Sequence, residues 1–146
     1  MGARGRRVRW ISRLESGGDC GGGSADAALA AVLALRPAVI VVDEPVAELD
    51  PARAREIYLR LRELNERDGI TVITIEHHAE FIAEFARTVV LMADGAPVWH
   101  LPVQEAMDRH ADLAAHGVPA PDAVALSSAV GARPVALDVP SAAAAL

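Results

Sequence analysis

The sequence predicts an α/β fold, a mainly parallel sheet with flanking helices, on three observations. Residues 39–42 (VIVV) and 70–75 (ITVITI) are short β-branched runs of the kind found in strands buried on both faces of a parallel sheet. A helical pattern opened by Asp50 and Pro51 lies between them. A further helix and a third apolar run at 88–92 (TVVLM) follow, giving the order β, α, β, α, β. Such alternation implies right-handed crossovers and parallel strands with helices packed against them.

Taken in chain order, residues 1–24 are rich in Arg, Gly and Ser, and the glycines of 17–23 predict an irregular start. Residues 25–35 favour a helix through their Ala and Leu content, with Asp26 near its start and Pro37 stopping it before the first strand. The Asp50 side chain can accept from the first turn of the next helix, and Pro51 suits the first helical position. Ile57, Leu61 and Leu64 recur at helical spacing, while Glu56 with Arg60 and Glu63 with Arg67 form i,i+4 pairs on the outer side. Gly69 ends this helix, and residues 70–75 read as a second buried strand. A short helix is expected over 79–87, carrying Phe81, Ile82 and Phe85. The strand at 88–92 then turns through Asp94 and Gly95 into Val98 and Trp99, and 103–115 looks helical. Beyond Gly117 the Pro- and Ala-rich segment has no clear period and is expected to be mobile. The organisation read from the sequence is thus an irregular start (1–24), a patterned body (25–116) and a tail (117–146).

Composition narrows the function classes. A chain of 146 residues suffices for one small domain. Arg4, Arg6, Arg7, Arg9 and Arg13 gather five of the 14 basic residues at the start, leaving an acidic body that argues against a nucleic-acid-binding surface. Cys20 is the single cysteine, so an internal disulfide is excluded and a reducing compartment, the cytoplasm, is expected. Every apolar run is interrupted well short of the roughly 20 residues that span a bilayer. The Arg-rich start lacks the apolar core and cleavage site of a secretory signal.

Asp43 and Glu44 sit where the first buried strand ends. Ligands in open α/β sheets gather at the carboxyl ends of strands, so two adjacent acids there suit Mg²⁺ binding and the orientation of a water. The chain continues through Pro45, Val46, Ala47, Glu48, Leu49 and Asp50 to the helix at Pro51, and later reaches His77. This series, and the interval from Asp43 to His77, resembles the ABC transporter ATPases. The resemblance implies a partial P-loop NTPase fold, the C-terminal part of a longer nucleotide-binding domain. By resemblance Asp43, Glu44 and Pro45 are the Walker B end, residues 47–50 the D-loop with Asp50, and His77 the switch histidine. Asp43 would then hold Mg²⁺ through water, Glu44 would be the general base, and His77 would contact the γ-phosphate of ATP.

The family's phosphate-binding loop has no counterpart. No G-x-x-x-x-G-K-S/T occurs and the chain contains no lysine, so the ammonium partner of the β- and γ-phosphates is missing. Counted in register, residues 19–23 stand where the family has its LSGGQ-like signature, and only Gly21 and Gly22 agree with it. A second register over 14–19 needs an inserted Glu. The change from an irregular start to a well-patterned helix near Ala25 leads to the expectation of an upstream truncation or frameshift, and of an isolated chain that is inactive.

Within the family, Glu76-His77 and the segment Val98-Trp99-His100-Leu101-Pro102 look most like the energy-coupling factor ATPases of vitamin or cobalt and nickel uptake. Implied partners are a second ATPase subunit, as homo- or heterodimer, and a membrane-embedded transporter subunit at the inner face of the cell membrane. Rival readings are a non-catalytic partner that lends its D-loop to a complete ATPase, and the ABC-like head of a chromosome or DNA-repair ATPase, which would need coiled-coil heptads that are absent. The five histidines also admit a metal site, without zinc-ligand spacing to cysteine.

Overall fold

The computed structural model describes residues 8–12, 34–46 and 49–144, the first of these as backbone alone. Its elements are β1 (Val8–Ser12), β2 (Val39–Asp43), α1 (Pro51–Asp68), β3 (Thr71–Ile75), α2 (Ala79–Phe85), β4 (Thr88–Ala93) and β5 (Ala96–Pro102), then the short helices α3 (Val103–Asp108), α4 (His110–Ala115), α5 (Asp122–Ala129) and α6 (Val139–Ala144). They divide into two compact units, Met1–Glu76 and His77–Leu146. The expected helix over 25–35 and the glycines Gly21 and Gly22 lie outside the described residues, as do Ala47 and Glu48.

In the first unit β1, β2 and β3 form a parallel sheet in that order, with Val39 opposite Val8 and Thr71, and Asp43 opposite Ser12 and Ile75. The central position of β2 accounts for its apolar run, since both edges are paired and Ile40, Val41 and Val42 are buried. Residues 8–12 correct the expectation of an irregular start: VRWIS alternates and carries β-branched and aromatic residues, which suits a strand at the sheet's edge.

The helix α1 follows its local code. Asp50 is extended (φ −64°, ψ 154°), and its Oδ1 accepts from the Ala52 and Arg53 amides at 3.1 Å each. Pro51 occupies the first helical position. Such a cap stabilises by about 1 kcal/mol. At the far end Gly69 takes φ +66°, and the Gly69 and Ile70 amides both donate to the Leu64 carbonyl. A Cβ there would meet no atom within 4 Å, so the requirement for glycine is purely conformational. Ala54, Ile57, Tyr58 and Leu61 form the buried stripe, and Glu63 pairs with Arg67 on the outer side.

Two strand expectations are corrected. β3 is half-buried rather than buried: Val72 and Thr74 face inward, while Thr71, Ile73 and Ile75 are exposed. It is an edge strand among the described residues, with β2 as its one neighbour. The run at 88–92 does not join the parallel sheet. It pairs with β5 as an antiparallel hairpin because Asp94 and Gly95 both have positive φ (49° and 76°). That two-residue turn matches strand twist and returns the chain directly, leaving no length for a crossover.

The second unit has its own core. Ala83, Leu91, Met107, Leu113, Val124 and Val135 cluster together, with Ile82, Trp99, Val103 and Leu137 packed against them. The helix expected over 103–115 is two helices broken at Arg109 (φ −100°, ψ 30°). Beside the break, Asp108 Oδ1 accepts from the Val135 amide at 2.8 Å, and Gln104 Nε2 donates to the Val135 carbonyl at 2.8 Å. The segment beyond Gly117, expected to be mobile, instead carries α5 and α6 and supplies fully buried Val124 and nearly buried Val135. Ser127, fully buried, donates to the Val124 carbonyl at 3.2 Å and accepts from the Ala136 amide at 2.9 Å, which satisfies its hydroxyl. Asp138 caps α6 by accepting from the Ser141 amide at 2.7 Å, a bond that holds its exposed carboxyl below the usual carboxylate range.

Removing the Met107 side chain leaves a void at the centre of the second core. Met107→Ala is expected to cost about 2–5 kcal/mol, while Val139→Ala, at a position 70% exposed, changes stability by under about 0.5 kcal/mol. Urea unfolding of the two variants checks this, and equal midpoints would contradict the core assignment.

Candidate functional site

The acids are delivered by β2. Ile40 and Val42 are fully buried, so the strand end cannot slip without exposing them. Asp43 is its last residue and Glu44 the first beyond it, both half-buried. Glu44 has φ +44°, a left-handed backbone uncommon outside glycine and more so before a proline, which ordinarily holds its predecessor extended. Two neighbours hold it there. The Glu44 amide donates to the Ile75 carbonyl at 3.0 Å, which continues the β2 to β3 pairing one residue past the strand, and Pro45 is fully buried. The Leu49 amide donates to the Val46 carbonyl at 3.1 Å, closing the turn that leads to Asp50.

Asp50 is exposed, and its carboxylate is engaged as the α1 cap, with Arg53 Nε 3.7 Å from Oδ2. In the first unit, then, Asp43 and Glu44 stand together at the strand end and Asp50 opens the next helix. His77 is the first residue of the second unit and is exposed. Its ring lies against that of His78 with centroids 4.1 Å apart, and His78 meets Phe81 edge-on at 6.2 Å. The His78 carbonyl accepts the first bond of α2 from Ile82 at 3.3 Å.

One pair escaped the sequence reading. Tyr58, 4% exposed on α1, donates its hydroxyl to Glu76 Oε1 at 2.8 Å. Burial first, then the Glu76 charge and the hydrogen bond to it, push the phenol above its ordinary value, against a smaller opposing effect from the Thr74 hydroxyl. Tyr58 adjoins Ile57 on the buried stripe, so its burial is legible from helical periodicity. Its partner is 18 residues away on another element, and no local pattern shows it.

Chemically, hard carboxylate oxygens at a half-buried strand end suit Mg²⁺ and the polarisation of a water. They do not suffice for a triphosphate. The chain has no lysine, and no described segment supplies a glycine-rich cradle of backbone amides.

No family model matches the chain. Individual proteins do. The energy-coupling factor transporter ATP-binding protein EcfA1 of Caldanaerobacter subterraneus is 35% identical over 121 residues, 83% of this chain and 43% of the relative. EcfA1 of Clostridium novyi is 46% identical over 83 residues, 57% of this chain and 28% of the relative. Among solved structures cbiO1 from Clostridium perfringens, part of the ABC transporter complex cbiONQ, superposes with a TM-score of 0.56 at 30% identity, covering 61% of this chain and 36% of that one. This chain is similar to ABC transporter ATP-binding proteins. The sequence-based likeness to energy-coupling factor ATPases is borne out by these relatives, and the α/β architecture is that of a P-loop ATPase. The chain spans less than half the length of each of these proteins. Among its described residues no helix is long and apolar enough to cross a membrane.

Tyr58 is the single tyrosine, so its ionisation can be followed by phenolate absorbance. Its raised folded value favours the neutral form in the native state. The associated stability is therefore complete below the ordinary tyrosine value near 10 and is lost as pH climbs above it. An alkaline titration is expected to show no phenolate until the chain unfolds. A phenolate signal near pH 10 with secondary structure intact would contradict the buried hydrogen bond.

Proposed function

We propose that this chain is the C-terminal part of an ABC transporter nucleotide-binding subunit, of the energy-coupling factor type, whose intact form couples ATP hydrolysis to membrane transport. The observation that carries the reading is the Asp43-Glu44 pair at the end of a buried parallel strand, with Glu44 in a left-handed backbone. Strained, half-buried acids of this kind concentrate at functional sites.

Within that reading Asp43 contributes to holding Mg²⁺ through water, and Glu44 orients and polarises the attacking water. His77 contacts the γ-phosphate, and Gly21 and Gly22 are what remains of the signature. Mg²⁺, when bound, neutralises phosphate charge. Since the chain carries no lysine, the phosphate cradle must come from polypeptide beyond this sequence, and the chain alone is inactive. The partners are a second ATPase subunit and a membrane-embedded subunit that recruits the pair to the inner face of the membrane. The relatives' role in transporters supports this, and the acidic body offers no nucleic-acid surface.

Calorimetric titration of the purified chain with ATP and Mg²⁺, together with a phosphate-release assay, tests the proposal. Neither submillimolar binding nor turnover is expected. Submillimolar binding accompanied by turnover that disappears in Glu44→Gln would overturn the claim of inactivity.

A further inference from the structure

We propose that Tyr58 is a positioning residue for Glu44, acting through Glu76 at the end of β3. The inference rests on the reading of Glu44 as the water-orienting base, and it concerns how the fold keeps that residue in an unfavourable backbone conformation.

The left-handed conformation at residue 44 relaxes unless neighbouring contacts over-determine it. On its C-terminal side Pro45 is fully buried. On the other side its amide is anchored to the Ile75 carbonyl at 3.0 Å. That carbonyl belongs to the last residue of β3, an edge strand among the described residues whose outer face is open, with Ile73 48% and Ile75 44% exposed. Ends of half-open edge strands fray readily. An anchor on such an end holds only as firmly as the end itself is held.

The Tyr58 bond supplies that hold. Glu76 is the residue immediately after Ile75, and its carboxylate accepts from a hydroxyl buried on α1. Tyr58 sits two turns into a helix that is fixed at both ends, by the Asp50 cap and by the Gly69 closure, and that buries Ala54, Ile57 and Leu61 alongside it. The phenol is therefore a rigid donor. A hydrogen bond to a carboxylate in a partly dry setting is stronger than a neutral one, and a buried hydroxyl left without it is costly. Two residues on different elements thus clamp the strand end between them: Tyr58 fixes residue 76, and residue 75 fixes the Glu44 amide. The helix that begins at Asp50 and the strand that leads toward His77 are thereby joined at the point on which Glu44 rests.

Native-state amide exchange of the full chain, recorded by NMR without nucleotide, tests the proposal. In Tyr58→Phe and Glu76→Ala the Glu44 amide is expected to exchange roughly tenfold faster, the size of one lost hydrogen bond to a carboxylate, while the amides of Ile40 to Val42 keep their rates. Glu76→Gln retains an acceptor for the phenol and is expected to stay within about twofold of the parent. The proposal is overturned if Tyr58→Phe leaves the Glu44 rate unchanged, if all β2 amides accelerate together, or if Glu76→Gln behaves as Glu76→Ala. Because no nucleotide is present, failure here leaves the hydrolase lineage of Glu44 untouched, and failure of that lineage leaves the exchange result standing.

Discussion

Burial of Ile40 and Val42 in the middle of a three-strand parallel ladder is the constraint on which the first unit depends. With a side-chain period of two and both faces of the strand covered, a slip of one residue would drive Asp43 into the interior. Registration of β2 against β1 and β3 therefore decides where the acids emerge. The ladder also decides how Glu44 is oriented, because the last bond across it, to Ile75, lies beyond the strand proper. Packing and chemistry are here consequences of one register.

The second unit is organised differently. Its core draws on residues from Ala83 to Val135, so segments remote in sequence must meet before any of them is buried. Polar groups fix the meeting point: Gln104 and Asp108 on α3 take both backbone groups of Val135, and Ser127 on α5 joins the Val124 carbonyl to the Ala136 amide. Each buried polar atom in this set has a partner, which lets an Ala- and Pro-rich stretch with weak helical periodicity hold one arrangement.

What could be read from the sequence was what the chain encodes locally. Asp50-Pro51 and Gly69 bound α1 because caps act on the nearest turn, and Asp94-Gly95 marks a turn because both residues tolerate positive φ. Asp43, Glu44 and His77 were legible as a spaced motif, and the relatives support the family it names. The sidedness of β3 was not legible, since burial depends on what covers a face and not on the strand's own composition. The hairpin at β4 and β5 was visible as a turn yet was assigned to the parallel sheet, because periodicity gives a strand no direction. The tail misled through composition: Val124 and Val135 are isolated apolar residues whose value appears only when distant elements converge. Tyr58 and Glu76 belong to the same class, a pair made by tertiary approach.

The backbone at residue 44 carries an evolutionary corollary. Glycine or asparagine tolerates a left-handed φ that glutamate adopts only under restraint, so the side chain suited to polarising water is the one least comfortable at its own position. On the proposed role of Glu44, selection for heat resistance alone would let this site drift toward glycine, whereas selection for turnover of the intact protein would hold glutamate and accept a weaker fold. The identity of residue 44 across natural variants of this chain is accordingly a gauge of which pressure the lineage has been under.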